Sequence, residues 1–421
     1  MNKRIIKKDI DHIVKEALQN FKLHYRQIKG KAGWHQYLGA EKIGTVATAQ
    51  VLLAFKYFRE DFNDKLKIID SLLKSQIKSA DNAKDGGWEY VTNFPGIASL
   101  EATCWALMAL HEEYGDDPRV LSGLNWLQQN AIKGEADEGW GIVPGDISRV
   151  YATCLALKTL KMYGKVNTEA YERGLNWLIK AQNMDHGWGS TAGSPSSMVY
   201  TSRVIITLAA NGHDIAALRS GVQWLRLRTQ NLQLTKANIE QEYKEDIAFG
   251  ARGLKFHHMP LQLVLTALIL SGHTKSITVF DGINDLVTNN NHYYWWHPLF
   301  KDSKRKPLWA IFDTLVVCKA LQENTYNWAS IIMVQYQGKH LVLKEASKPF
   351  SWKRFKENFI YGKWGKIFIV ICICMIISRA IDTFPKLGTA TYSSLIIIPL
   401  LIELLGYYLT EIKKSRRRLD V

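Results

Sequence analysis

Four times the chain writes Gly-Trp, at Trp34, Trp88, Trp140 and Trp188, and after each comes an apolar run with one skeleton: a Thr, then an apolar residue seven positions later. The runs are TAQVLLAF from Thr48, TCWALMAL from Thr103, TCLALKTL from Thr153 and TSRVIITL from Thr201. TLVVCKAL from Thr314 repeats the skeleton, and LQLVLTAL from Leu261 keeps the apolar frame without the Thr. Self-similarity at roughly 50 residues means one supersecondary unit that cannot bury its apolar face alone and must stack on its copies.

Between the runs lie VLSGLNWLQQNA, YERGLNWLIKAQ and LRSGVQWLRLRT, with a degenerate KIIDSLLKSQ. These carry an apolar stripe on one side and charge on the other, so they face water. The Thr runs are apolar on nearly every side and must be surrounded. Alternating the two kinds six times predicts an all-α fold: an α/α toroid of six inner helices ringed by six outer ones. Ala102, Ala106, Ala109, Ala152 and Ala156 let neighbouring inner helices approach closely.

This arrangement resembles the prenyltransferase and squalene-hopene cyclase repeat superfamily of terpenoid cyclase-like toroids. Its repeat carries a Gln late in the outer helix and a Gly-Trp loop before the next inner helix. Gln76 with Gly86-Gly87-Trp88, and Gln182 with Gly187-Trp188-Gly189, match that pattern; Gln128 or Gln129 with Gly139-Trp140-Gly141 is looser. The resemblance spans about Gly33 to Glu323. It implies that Gln and Trp tie consecutive repeats together, and that Trp88, Trp140 and Trp188 are scaffold first and cavity lining second.

Chemistry is expected where inner helices begin, since helix N-termini favour anions. Family members that cyclise polyprenes by protonation place Asp-x-Asp-Asp immediately before the repeat Thr. Here the equivalent places read GTVA, SLEA, RVYA, SMVY and AIFD. Glu101 stands at the middle-acid position of one repeat and Asp313 at the last-acid position of another, and these are the catalytic candidates. Members that alkylate thiols hold zinc through Asp-x-Cys and a distant His, and the chain has no Asp-x-Cys. No metal and no cofactor is expected.

Arg149 and Arg203 stand near the starts of the third and fourth inner helices. An irregular insertion, Thr235–His258, brings Arg252, His257 and His258 to the fifth, and NNNHYYWWHPLF places Trp295 and Trp296 before the sixth. Cations beside aromatics suit an isoprenoid or other apolar chain with an anionic head. Acids also gather in the loops, at Asp85, Asp137, Glu138, Asp146 and Asp185. A carbohydrate-active α/α barrel working with two carboxylates is therefore a third reading.

The last sixty-odd residues are a different material. Ile367–Ser378 and Leu387–Ile412 are apolar, and the second is long enough to cross a bilayer. Lys353, Arg354, Lys356, Lys363 and Lys366 precede the first, and Lys413, Lys414, Arg416, Arg417 and Arg418 follow the second. That bias predicts a hairpin with both ends and the toroid on the cytoplasmic side of the inner membrane, with one true span plus a helix lying in the interface as the alternative. Domains follow: toroid 1–337, basic juxtamembrane linker 338–365, transmembrane hairpin 366–412 and basic tail 413–421. The net charge of +15 is then drawn to membrane lipids rather than nucleic acid, for which no motif is present. No secretory signal is seen at the N-terminus, and the five Cys form no disulfide framework. Glu403, inside the second apolar segment, points to homo-oligomer pairing, a polar path or a protonated acid.

The leading expectation is a membrane-anchored toroid that binds an isoprenoid-like chain and acts as an atypical cyclase or transferase. A non-catalytic sensor or effector in signalling or antiphage defence stays open beside it.

Overall fold

A computed structural model describes residues 4–36, 42–80, 85–89, 98–135, 137–210, 212, 215–229, 242–249, 252–257, 260–274, 276–288, 309–324, 331–336 and 340–345. They fall in one compact unit, Met1–Ala346. The linker, hairpin, Glu403 and basic tail expected beyond it lie outside the described residues, as do His258, Trp295 and Trp296. Among the described residues no helix is long and apolar enough to cross a membrane.

Helix α1 is Lys7–Leu23, α2 Thr45–Phe58, α3 Lys65–Lys74, α4 Leu100–Tyr114, α5 Pro118–Gln129 and α6 Val150–Met162. After these come α7 Glu169–Lys180, α8 Met198–Ala210, α9 Ala216–Thr229, α10 Pro260–Leu270, α11 Ile277–Thr288 and α12 Trp309–Asn324. The six Thr-type runs are α2, α4, α6, α8, α10 and α12. Each packs on the next, and α12 packs back on α2, so the inner ring is closed. Thr45–Phe55 of α2 and Leu100–Leu110 of α4 are buried without interruption, as helices walled on all sides must be.

Outside the ring, α3, α5, α7, α9 and α11 lie against α2, α4, α6, α8 and α10 in turn. The sixth outer place, against α12, is filled by α1 from the other end of the chain. Its Ile10, Ile13, Val14, Ala17, Leu18 and Phe21 recur at helical spacing and are all buried. The toroid is therefore closed by its N-terminal helix.

The all-α expectation needs one correction, because short strands accompany the helices. Strand β1 (Arg4–Ile6) pairs antiparallel with β6 (Ile331–Tyr336), which pairs with β7 (His340–Glu345). This sheet ties the chain ahead of α1 to the chain after α12. β2 (Arg26–Ile28) and β3 (Lys31–Gly33) form a hairpin leading into Trp34. Its two turn residues, Lys29 and Gly30, both take positive φ (48° and 76°), as a tight hairpin requires. The insertion between α9 and α10 is also a hairpin, β4 (Glu242–Phe249) with β5 (Arg252–His257).

The repeat residues hold the two walls together in one way four times over. The Thr hydroxyls of Thr48, Thr103, Thr153 and Thr201 accept the backbone N–H of Trp34, Trp88, Trp140 and Trp188 at 2.9–3.1 Å. The indole N–H groups of the same Trp residues donate to Phe21, Leu72, Leu127 and Leu178 carbonyls at 2.7–2.8 Å. Those carbonyls lie in the last turns of outer helices, where the regular helical ladder runs out.

Gly and Trp are then exchanged between consecutive repeats. The rings of Trp88, Trp140 and Trp188 lie on Gly123, Gly174 and Gly221 of the next outer helix. In return Trp126, Trp177 and Trp224 of those helices cover Gly87, Gly139 and Gly187. A Cβ on Gly221 would stand 2.5 Å from Trp188 Cζ3, so each glycine is fixed by the ring upon it. Gln76 Nε2 bridges Gly86 O (2.8 Å) and Arg119 O (2.6 Å), and Gln182 Nε2 reaches His186 O, Ala217 O and Ser220 Oγ at 2.9–3.0 Å. Gln128 only bonds back to Leu124 O, at 3.4 Å, so the looser second repeat lacks this tie.

Candidate functional site

The inner helices run in parallel, since Leu100 N–H at the start of α4 donates to Ile142 O before α6, and Val150 N–H to Ser190 O before α8. Their first turns therefore gather at one end of the ring. Outer helices cover their backs, so a half-buried residue in mid-run faces the inside. Lys158 of α6, Arg203 and Ile206 of α8, and Asp313 and Val316 of α12 are such residues.

Around them the ring's inside is polar and aromatic. Tyr151 Oη donates to Glu101 Oε1 at 2.7 Å, and the Arg203 guanidinium stacks on the Tyr151 ring at 4.2 Å. Lys158 Nζ lies 5.6 Å from the Trp105 ring centroid, and Trp105 meets Phe312 edge-on at 5.3 Å. Tyr57 adds a third ring against Phe312 at 6.3 Å. α4 and α12 are not ring neighbours, so Trp105 and Phe312 touch across the inside, which is partly filled by side chains.

Charge on these groups follows from burial. The Tyr151 phenol is held well above its ordinary value, first by burial and then by the Glu101 charge, with Arg203 opposing. It is a neutral donor. Burial pushes Asp313 up to about 6, although Arg203 and Lys158 pull it down. Lys158 sits on the helix opposite α12 in the ring, so that influence is exerted across the hollow. Asp313 is half-buried by contact yet surrounded by protein, as befits a group lining an internal space. Cys104 and Cys154, beside this cluster on α4 and α6, are pushed up to about 12 by burial and carry no thiolate. Among the described residues no group of His, Cys, Asp or Glu could hold a metal ion.

The structure thus brings Glu101, Arg203 and Asp313 to one place and engages Trp88, Trp140, Trp188 and Arg149 in other contacts. Trp88, Trp140 and Trp188 are wholly buried between the walls, ring and N–H both engaged as described. Arg149, the residue before α6, makes a bidentate pair with Asp146 (2.7 and 3.0 Å), both side chains buried. Arg252 and His257 are at opposite ends of strand β5, about 17 Å of extended chain apart.

The loop acids serve their own loops. Asp146 also accepts the Ile142 and Ile147 N–H groups, Asp137 the Ser148 N–H, and Asp85 the Ser79 N–H. Asp185 accepts from Gly187, Ser196 and Trp224. These bonds hold it below the usual carboxylate range against the opposing effect of burial.

Lys158, Trp105, Tyr151 and Phe312 were not among the residues expected from sequence. Lys158 did carry a signal: it is a charge in the middle of the apolar run TCLALKTL, as Arg203 is in TSRVIITL. Lys319 holds the same repeat place as Lys158 and pairs with Glu323 at 3.2 Å.

The family model of the squalene-hopene cyclase C-terminal domain matches residues 91–240. Among solved structures, the chain is similar to a variant of the type II terpene cyclase MstE from Scytonema in complex with geranylgeranyl dihydroxybenzoate. Identity is 15%, covering 75% of this chain and 97% of that one, with a TM-score of 0.46. Candida albicans protein geranylgeranyltransferase-I complexed with GGPP is 16% identical over 68% of this chain and 86% of that chain, TM-score 0.41. Rex8A from Paenibacillus barcinonensis complexed with xylose is 10% identical over 75% and 93%, TM-score 0.47.

Proposed function

We propose that the inside of the ring binds an isoprenoid or similar apolar chain, and that Asp313 is the group there able to give or take a proton. One observation carries this reading: on the face of the inner helices turned away from the outer wall, Trp105, Phe312, Tyr57 and Tyr151 stand beside half-buried Asp313, Arg203 and Lys158. Apolar walls with a few convergent polar groups are what an amphiphile site needs. A carboxyl raised to about 6 exchanges its proton near neutral pH, which general acid–base work requires. Glu101 is engaged by Tyr151, which suits a fixed charge better than a mobile proton.

The same reading places the chain at a membrane. The apolar segments within 366–412 would keep the toroid, on the cytoplasmic side, beside a source of lipid-like molecules, and Glu403 is where copies would pair. The rival sensor or effector reading is favoured by one observation, that Glu101 already accepts from Tyr151, and Arg203 already lies over the Tyr151 ring, without a ligand.

Asp313→Asn and Glu101→Gln separate the alternatives when membranes carrying each variant are incubated with labelled isoprenoids. Loss of turnover with Asp313→Asn and its survival with Glu101→Gln supports the assignment. Turnover that survives Asp313→Asn removes it.

A further inference from the structure

The wall of the ring is continuous in the chain except at one seam. Each of α3, α5, α7, α9 and α11 follows directly on the inner helix it lies against, so a peptide loop holds every such pair together. α1 lies against α12, and almost the whole chain separates the two. What joins them there is the sheet. The chain leaving α12 enters β6, and β1, whose three residues run straight into α1, pairs with it as an edge strand.

α1 is therefore an arm. One end is tied to α2 through β2, β3 and Trp34, and the other is clasped by the few hydrogen bonds of β1. Elements at chain ends held by few long-range bonds open at free energies below that of global unfolding. α12 carries a reporter of such opening. Cys318 is buried, and α1 reaches it: burial pushes the thiol up to about 12, and Asp11 of α1 adds to the rise. A thiol so held is inert, and one released to water ionises far more readily and reacts. On the side of β6 away from β1 lies β7, after which the chain continues toward the apolar segments within 366–412.

We propose that the seam between α1 and α12 is where the ring opens, and that the sheet β1–β6–β7 is the clasp controlling it. β6 is shared by both other strands, so loosening β7 loosens β1 and frees the arm. A change in the chain beyond Glu345 then reaches the wall of the ring through one sheet.

The test follows maleimide labelling of the full chain in detergent at about pH 7.5, with rates at Cys318, Cys104 and Cys154 read separately by peptide mass spectrometry. Deleting residues 2–6 removes β1 and should speed Cys318 at least about tenfold while the other two change less than about twofold. Ile5→Cys with Met333→Cys joins residues that face each other in the register. When oxidised, this pair should slow Cys318 at least about threefold, and reduction should restore it. Successive N–H groups of an edge strand point alternately toward and away from its neighbour, so one of Val342→Pro and Leu343→Pro must remove a bond from β7 to β6. That variant should speed Cys318 at least about threefold. Cys318 unmoved by the deletion or by the crosslink, or all three thiols rising together, would place the opening elsewhere. Cys318 unmoved by both proline variants would overturn the control by β7.

Discussion

The wall of the toroid and its inside are made by the same helices, turned to opposite sides, and they follow opposite rules. In the wall each polar atom of the repeat has a partner: Thr hydroxyl to Trp N–H, indole N–H to helix end, Trp ring to Gly. The scheme recurs with distances that vary by 0.2 Å or less across the four copies. On the inside nothing recurs. Glu101, Tyr151, Lys158, Arg203 and Asp313 each occur once at their repeat place, apart from Lys319 matching Lys158. A repeated residue solves a problem that every repeat has, which is attachment to its neighbour. A residue that breaks the repeat answers to something present only once, at the centre.

The comparison breaks most visibly if the wall is softened. Trp188→Ala removes a ring wholly buried against Gly221 and an N–H bonded to Leu178 O, and should cost about 3–5 kcal/mol. Thermal or urea unfolding of the purified chain measures it, and a loss below about 1 kcal/mol would mean the Gly-Trp exchange does not hold the walls. Thr153→Val keeps the shape and deletes the acceptor of the Trp140 N–H, so about 1–2 kcal/mol should go. Gln182→Ala should cost about 1 kcal/mol and Gln128→Ala less than about 0.5, because only Gln182 reaches the next outer helix. Equal losses would remove the distinction between a tied and an untied repeat.

The inside should respond in the other direction. Folded Asp313 keeps its proton up to about 6, against an ordinary value of 3.8, so the native state binds the extra proton between the two. Stability contributed at this site is therefore lost as pH rises through that window. Asp313→Asn has no charge to desolvate. Its melting temperature should match the unsubstituted chain near about pH 3.5, overtake it between about pH 4 and 6, and keep a constant advantage above about pH 7. A variant less stable at about pH 7.5 would show that the carboxylate is paired and not strained.

What the sequence made legible divides along the same line. Apolar periodicity and the Thr skeleton disclosed the six inner helices, and Gly-Trp with its Gln disclosed the ties, because each residue is dictated by local geometry shared among copies. Helix α1 was readable from Ile10, Ile13, Val14, Ala17, Leu18 and Phe21, but its place against α12 joins the two ends of the ring, which no local pattern encodes. The pairing of β1 with β6 was missed because it joins segments more than 300 residues apart, which no local pattern encodes. At the site, Glu101, Arg203 and Asp313 were found by their places before or within the Thr runs. Arg149 stood in an equivalent place, yet Asp146, three residues earlier, takes its guanidinium into the loop. Lys158 and Tyr151 matter through partners on other helices, and only folding brings those together.

Native mass spectrometry of the detergent-extracted full chain tests the central claim most directly, by asking whether a small molecule travels with the ring. A discrete adduct of isoprenoid or fatty-chain mass, present on the unsubstituted protein and depleted when Lys158→Glu reverses the interior charge, is the predicted result. An adduct carried equally by both proteins, or no adduct after isoprenoid loading, would contradict a ligand site at the centre of the ring.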